Sequence, residues 1–204
     1  MKTSPIRCIL FDADGVIVNA EQFSLQYQKR FGVDPAHMNP FFEGIFQQCI
    51  VGEADLKKVV APYLASWNWE GSVEEFLSFW FTAEHTIDEQ IAELITSLRS
   101  KSIHCYLATN QEIYRTSYMR TEMGFEQLFD GVFSSAEIGH RKPDSAYYRH
   151  ILKQLKTRGI EKEHILYVDD SESHITTARA LGLYAHLYTN YIELSRWLKK
   201  HMPQ

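Results

Sequence analysis

The chain has 204 residues, 45% of them apolar and 23% charged, with a formal net charge of −5. This composition suits a folded globular protein and excludes a disordered polyelectrolyte. The negative balance argues against partners held by charge alone, such as nucleic acid or an anionic membrane surface, and no apolar run approaches the ~20 residues of a membrane span.

The first element is a short strand, Ile9, Leu10 and Phe11, that stops abruptly at Asp12 and Asp14. A buried strand ending in two carboxylates is costly unless something positive lies between them. A hard divalent cation such as Mg²⁺, which takes oxygen ligands, meets that need. An Asx turn built on Gly15 is the bland alternative. A calcium hand does not fit, because its loop needs glycine at the sixth position, and counting from Asp12 that residue is Ile17. The apolar run is also too short for a secretory leader. The three cysteines, Cys8, Cys49 and Cys105, form no CxxC pair, and Cys8 and Cys105 sit in strand-like runs. Both observations lead us to expect a reducing, cytoplasmic setting.

Residues 20–85 show no strand–helix alternation. Helical patterns cover 21–31, 40–51, 53–65 and 73–81, punctuated by Gly32, Gly52 and the stretch from Asn68 to Gly71. Nearly half of the aromatic residues fall here, among them Phe41, Phe42, Trp67, Trp69, Phe79 and Trp80. We assign them to the core of a small helical insert. Glu21 and Gln22, where the chain enters the insert, are candidates to face a ligand or to start a helix. His85, near the return, reads as a structural or solvated histidine.

Beyond the insert, strands and helices alternate. Strands are expected at 103–108, 131–134, 165–168 and 183–187, and helices at 113–123, 145–158, 171–181 and 191–200. Such alternation implies a parallel sheet covered by helices on both faces. The expected architecture is α/β, with a Rossmann-like core from residues 1–19 and 86–204 and a helical cap, 20–85, inserted after the first strand. Lys199, Lys200 and His201 read as a solvated helix end.

In open α/β sheets, ligands bind at the carboxyl ends of the strands. Those ends carry Asp12 and Asp14, then Thr109 and Asn110, then Lys142 after the third strand, then Asp169 and Asp170. Each is unremarkable alone: Thr109 suits a helix cap, and Lys142 suits a surface loop. Two strand ends each carrying a pair of carboxylates, with one hydroxyl and one lysine at equivalent positions, do not look accidental.

In this order, Phe11-Asp12-Ala13-Asp14-Gly15-Val16, Ala108-Thr109-Asn110, Lys142-Pro143-Asp144 and Tyr167-Val168-Asp169-Asp170-Ser171 resemble the haloacid dehalogenase-like (HAD) hydrolase superfamily, in its capped phosphatase subgroup. The resemblance implies a Mg²⁺-dependent phosphatase that hydrolyses a small phosphorylated metabolite through an aspartyl-phosphate. It makes Asp12 the nucleophile and Asp14 the general acid and base. Mg²⁺ would be held by Asp12, Asp14 (through its backbone carbonyl) and Asp170, which related motifs favour over Asp169, although spacing alone does not separate the two. Thr109, Asn110 and Lys142 would bind the phosphate, with Asp169 behind them orienting Lys142. Members that displace halide from carbon lack a second aspartate, so Asp14 favours phosphate chemistry. Two alternatives stay open: a phosphomutase, and a non-catalytic metal- or protein-binding module on the same fold. About 30 residues separate Asn110 from Lys142, room for one helix and one strand but for no second cap. The physiological substrate and the oligomeric state are not legible.

Overall fold

A computed structural model describes residues 6–202. The strands are β1 (Cys8–Phe11), β2 (His104–Thr109), β3 (Gly131–Ser134), β4 (Ile165–Asp169) and β5 (Tyr184–Leu187). They form one parallel sheet in the order β3-β2-β1-β4-β5. Parallel strands are covered on both faces, so their sequences run apolar without visible alternation. The alternation appears in space. Ile9, Phe11, Cys105, Leu107, Leu166 and Val168 join one apolar layer. Cys8, Leu10, Tyr106, Ala108, Ile165 and Tyr167 join the other.

Five α-helices make up the insert after β1: α1 (Phe23–Phe31), α2 (Pro35–Glu43), α3 (Phe46–Ile50), α4 (Leu56–Leu64) and α5 (Val73–Ala83). They share their own apolar cluster, built on Phe23, Tyr27, Phe41, Val60, Trp67 and Phe76. Where one helix was expected over 40–51, the chain makes two. Asp34 caps α2 by accepting from the Ala36 N–H at 2.9 Å, with Pro35 in the first turn, and Gly44 ends it. Elsewhere the caps are local and readable. Asp55 accepts from the Lys57 N–H at the start of α4, and Ser72 and Glu75 form a reciprocal capping box on α5.

The helix α6 (Glu89–Ser100) follows, in a stretch to which the sequence reading assigned no element. Its signals are an Asp88 cap and the buried series Ile91, Ile95 and Leu98. After β2 come α7 (Ile113–Thr121), α8 (Phe125–Leu128), β3 and α9 (Ser135–Ile138). The 30-residue connection thus holds two single-turn helices beyond the expected helix and strand. The chain closes with α10 (Ser145–Thr157), α11 (Glu172–Ala180) between β4 and β5, and α12 (Tyr191–His201). Helices α6, α7 and α12 cover one face of the sheet, α10 and α11 the other. Among the described residues no helix is long and apolar enough to cross a membrane.

The insert docks onto the carboxyl end of the sheet at specific points. The Ser135 hydroxyl donates to the Ile50 carbonyl at 2.6 Å, and the Tyr114 hydroxyl to Asp55 at 3.1 Å. Gly52 has a φ of +74°, and a Cβ there would lie 2.3 Å from the Ala136 carbonyl oxygen. Any larger residue at position 52 would push α3 away from α9.

All three cysteines are buried and unpaired. Burial pushes the Cys8 thiol up to about 12, Cys49 to about 11, and Cys105 higher still. Thiols that stay protonated are poor nucleophiles. We therefore expect no cysteine of the native protein to react with a disulfide reagent at about pH 8, and all three to react in denaturant. Fast labelling of Cys8 or Cys105 without denaturant would contradict this packing.

Candidate active site

Strand order reverses beside β1: the chain builds outward through β2 and β3, then returns to β4 on the other side of β1. Such a switch point opens a crevice at the strand ends. The register places Phe11 beside Val168, and the Asp12 N–H continues the ladder by donating to the Val168 carbonyl at 2.9 Å. Asp12 and Asp169 are thereby forced to lie side by side at the mouth of the crevice.

Lys142, on the loop between α9 and α10, resolves that juxtaposition. Its ammonium is buried and donates to Asp12 Oδ1 at 2.7 Å, Asp169 Oδ2 at 2.8 Å and the Ala108 carbonyl at 3.0 Å. Three acceptors use its three donor hydrogens. Asp169 is also saturated. Its Oδ2 accepts from Tyr167, and its Oδ1 from the Ser171 N–H and the His174 ring, each at 2.9 Å. Burial alone would push its carboxyl up. The bonds from His174, Lys142 and Tyr167, with the lysine charge, reverse this and hold it well below the usual carboxylate range. Asp12 shifts the other way: burial and the neighbouring Asp169 charge outweigh Lys142 and push it up. One ammonium shared by two buried carboxylates leaves a net negative site.

Asp14 projects from the turn after Asp12, half-exposed. It accepts from Arg115 Nη2 at 3.0 Å and from Gln111 Nε2 at 2.5 Å. Arg115, buried in the first turn of α7, also pairs with Glu84 at the end of α5. One guanidinium therefore ties the turn after β1, the helix after β2 and the insert together. Burial pushes the Glu84 carboxyl up, with Arg115 opposing. Glu112 caps α7 through the N–H groups of Tyr114 and Arg115, and burial raises its carboxyl too.

Thr109 is buried at the end of β2. Asn110 is engaged with the Lys142 backbone: its amide accepts from the Lys142 N–H at 2.8 Å and donates to the Lys142 carbonyl at 3.0 Å. It holds the Lys142 backbone in place.

Asp170 comes from the end of β4 and lies against Gly15. The glycine has a φ of +80°, and a Cβ there would lie 2.1 Å from Asp170 Oδ2. That position needs glycine for conformation and for space. Burial and the Asp169 charge push the Asp170 carboxyl up. Asp12, the Asp14 carbonyl and Asp170 would together offer only oxygen donors, the chemistry a hard cation takes. Asp12, Asp169 and His174 also bring ligand atoms within 4.8 Å of one another. Lys142 already bonds both carboxylates, and His174 is spent on Asp169.

Arg115, Gln111, Glu84, Tyr167 and His174 were not found from sequence. Of the two residues at the entry to the insert, Gln22 lines the cavity beneath it and Glu21 pairs with exposed Lys29. His85 bonds the Tyr118 hydroxyl at 2.9 Å, a structural contact.

A family model described as haloacid dehalogenase-like hydrolase matches residues 9–186. The chain is 36% identical over 97 residues to the sesquiterpene phosphatase astK of Aspergillus oryzae, a match covering 47% of each protein. It is 32% identical over 95 residues to a phosphoglycolate phosphatase of Cereibacter sphaeroides, covering 47% of this chain and 41% of that one. The chain thus spans less than half the length of the curated relatives it matches. Among solved structures, a HAD family enzyme of Bacteroides thetaiotaomicron, in complex with magnesium and inorganic phosphate, superposes with a TM-score of 0.74 at 20% identity. That match covers 93% of this chain and 98% of the other.

The Lys142 site makes a pH-dependent prediction. Asp169 is held low in the folded state, so its contribution to stability is present above about pH 4 and is lost below. For Lys142, burial lowers the ammonium, but the charges of Asp12 and Asp169 outweigh this and raise it, so its contribution persists up to about pH 10. In Lys142→Met two buried carboxylates face each other uncompensated, at a cost of about 3–5 kcal/mol near neutral pH. The folded variant then takes up a proton more readily than the unfolded chain. Its stability in urea melts should rise as pH falls from about 8 to about 5. A variant whose stability is flat over that range would contradict the arrangement.

Proposed function

We propose that this chain, which belongs to the haloacid dehalogenase-like hydrolases, is a Mg²⁺-dependent phosphatase acting on a small phosphorylated metabolite. The observation that carries the reading is Asp12, a buried carboxylate at the switch point, bonded to Lys142 and followed two residues later by the half-exposed Asp14. Two matched relatives are named as phosphatases, which supports phosphate chemistry. So does Asp14, which a halide leaving group would not need.

The residues divide the work as follows. A carboxylate oxygen of Asp12 attacks phosphorus, the bond from phosphorus to the ester oxygen breaks, and an aspartyl-phosphate forms. Asp14 gives its proton to the departing oxygen. It then takes a proton from the water that attacks the same phosphorus, and release of inorganic phosphate restores Asp12. Lys142 keeps Asp12 aimed and offsets charge on the transferring group. Asp169, saturated by four partners, keeps Lys142 from moving, and Asn110 fixes the loop that carries it. Arg115 and Gln111 position Asp14. Residues 20–85 act as the cap that excludes water from the acyl-phosphate. Asp12, the Asp14 carbonyl and Asp170 would hold Mg²⁺, whose positive charge offsets repulsion between the nucleophile and an anionic substrate.

With an aryl phosphate and Mg²⁺, we expect measurable release of inorganic phosphate, and its loss in chelator. Asp12→Asn should abolish release while leaving the circular dichroism spectrum and melting temperature nearly unchanged. Turnover persisting in Asp12→Asn would remove this residue from the nucleophile role. Gly15→Ala displaces the Asp170 carboxylate, so the Mg²⁺ concentration for half-maximal rate should rise by roughly 10–100-fold. An unchanged Mg²⁺ requirement would exclude Asp170 from the metal.

A further inference from the structure

Between the insert and the strand ends lies a cavity of about 240 Å³. It is below the roughly 300–1,000 Å³ typical of drug-sized ligands. Asp14 and Asn110 sit at its core end, so it opens directly onto the proposed chemistry. Its other walls are Phe23, Phe42, Phe46, Ile50, Trp80 and Phe81. The rings brace one another: Trp80 stacks on Phe23 and meets Phe42 edge-on.

Most of the polar groups lining the cavity are already engaged, the exposed Gln22 at its rim excepted. Arg115 is bonded to Asp14 and Glu84, and Gln111 to Asp14. Glu112 is spent on the start of α7, and Asn110 on the Lys142 backbone. Glu84 also accepts from Trp80 Nε1 at 3.0 Å and the Phe23 N–H at 3.2 Å. Among the described residues, Ser24 Oγ is the one buried side-chain polar atom lining this cavity without a partner. Asp14, Glu84 and Glu112 against the single cation Arg115 leave the lining net negative.

We propose that the substrate of this site is the monophosphate ester of an apolar alcohol, whose hydrocarbon body lies among Phe42, Phe46, Trp80 and Phe81. The proposal rests on the phosphatase reading and specifies its leaving group. A sugar phosphate would bury several hydroxyls against rings, each unpaired hydroxyl weakening binding by a factor of about 5 or more. A leaving group with its own carboxylate or second phosphate would meet three acidic side chains and one occupied guanidinium. A hydrocarbon meets neither obstacle, and each buried methylene strengthens binding by about fourfold. Ser24 inside the cavity and Gln22 at its rim leave room for isolated hydrogen bonds, not for a network.

The test uses the full chain with Mg²⁺. Phosphate release from n-alkyl monophosphates, ethyl to octyl, is compared with release from glucose 6-phosphate and 2-phosphoglycolate. Calorimetry follows binding of hexylphosphonate, which cannot be hydrolysed. We expect kcat/KM to climb about threefold to fourfold per methylene until the cavity fills. Hexyl phosphate should exceed both polar substrates by at least tenfold, and hexylphosphonate should bind with a negative heat-capacity change. In Phe46→Ala, hexylphosphonate affinity should fall about tenfold. A flat chain-length profile, or faster turnover of either polar ester, overturns the apolar assignment and leaves the phosphatase reading standing. Tight, chain-length-dependent phosphonate binding without turnover of any ester does the reverse.

Discussion

One buried ammonium holds the centre of this protein together. Lys142 takes its three hydrogen-bond acceptors from the ends of three neighbouring strands: Asp12 after β1, Ala108 on β2 and Asp169 on β4. The parallel register makes the two carboxylates neighbours, and without a cation between them their repulsion would oppose the strand pairing that creates them. A buried ion pair is seldom a net source of stability, because desolvation offsets most of the attraction. Its value here is placement. A fully bonded lysine and a fully bonded Asp169 cannot drift, so Asp12, which has only one oxygen tied to Lys142, is presented in a defined direction.

Around that centre the molecule offers two environments in contact. The strand ends are polar, acidic and saturated with internal bonds. The insert above them is aromatic almost throughout, a cluster of rings large enough to be a core in its own right. They meet where Arg115 pairs with both Asp14 and Glu84, so the general-acid candidate and the insert share one guanidinium. A cavity walled by rings and floored by a carboxylate suits a ligand that is ionic at one end and oily at the other.

The same physics explains how far the sequence could be read. Strand ends were legible because Ile9–Phe11 or Tyr167–Val168 running into aspartates violates the ordinary pattern of a buried strand, and such violations mark sites. The caps at Asp55 and Ser72 act within one turn, so their signals are local, although the helical patterns at 53–65 and 73–81 were bounded without them. Helix α6 was passed over for lack of a strong boundary, although Asp88 and the spacing of Ile91, Ile95 and Leu98 signal it. The break at Gly44 was hidden inside a continuous helical pattern. The aromatic residues were read as core, and they are; sequence could not say that Phe42, Phe46, Trp80 and Phe81 also line a cavity, because facing inward toward other rings and facing inward toward a void give the same periodicity.

Sequence by itself determined the fold class, the order of strands and helices, and the set of carboxylates and lysine at the strand ends. These follow from local rules: propensity, caps and the cost of burying an unpaired charge. Tertiary structure alone decided the pairings: that Asn110 braces the Lys142 backbone, that Asp170 occupies the space left by Gly15, that Arg115 joins Asp14 to Glu84, and that His174 supports Asp169. Each joins residues distant in the chain and depends on strand register and on how the insert docks. Such contacts form only when the whole chain is folded, so no local window of sequence carries them.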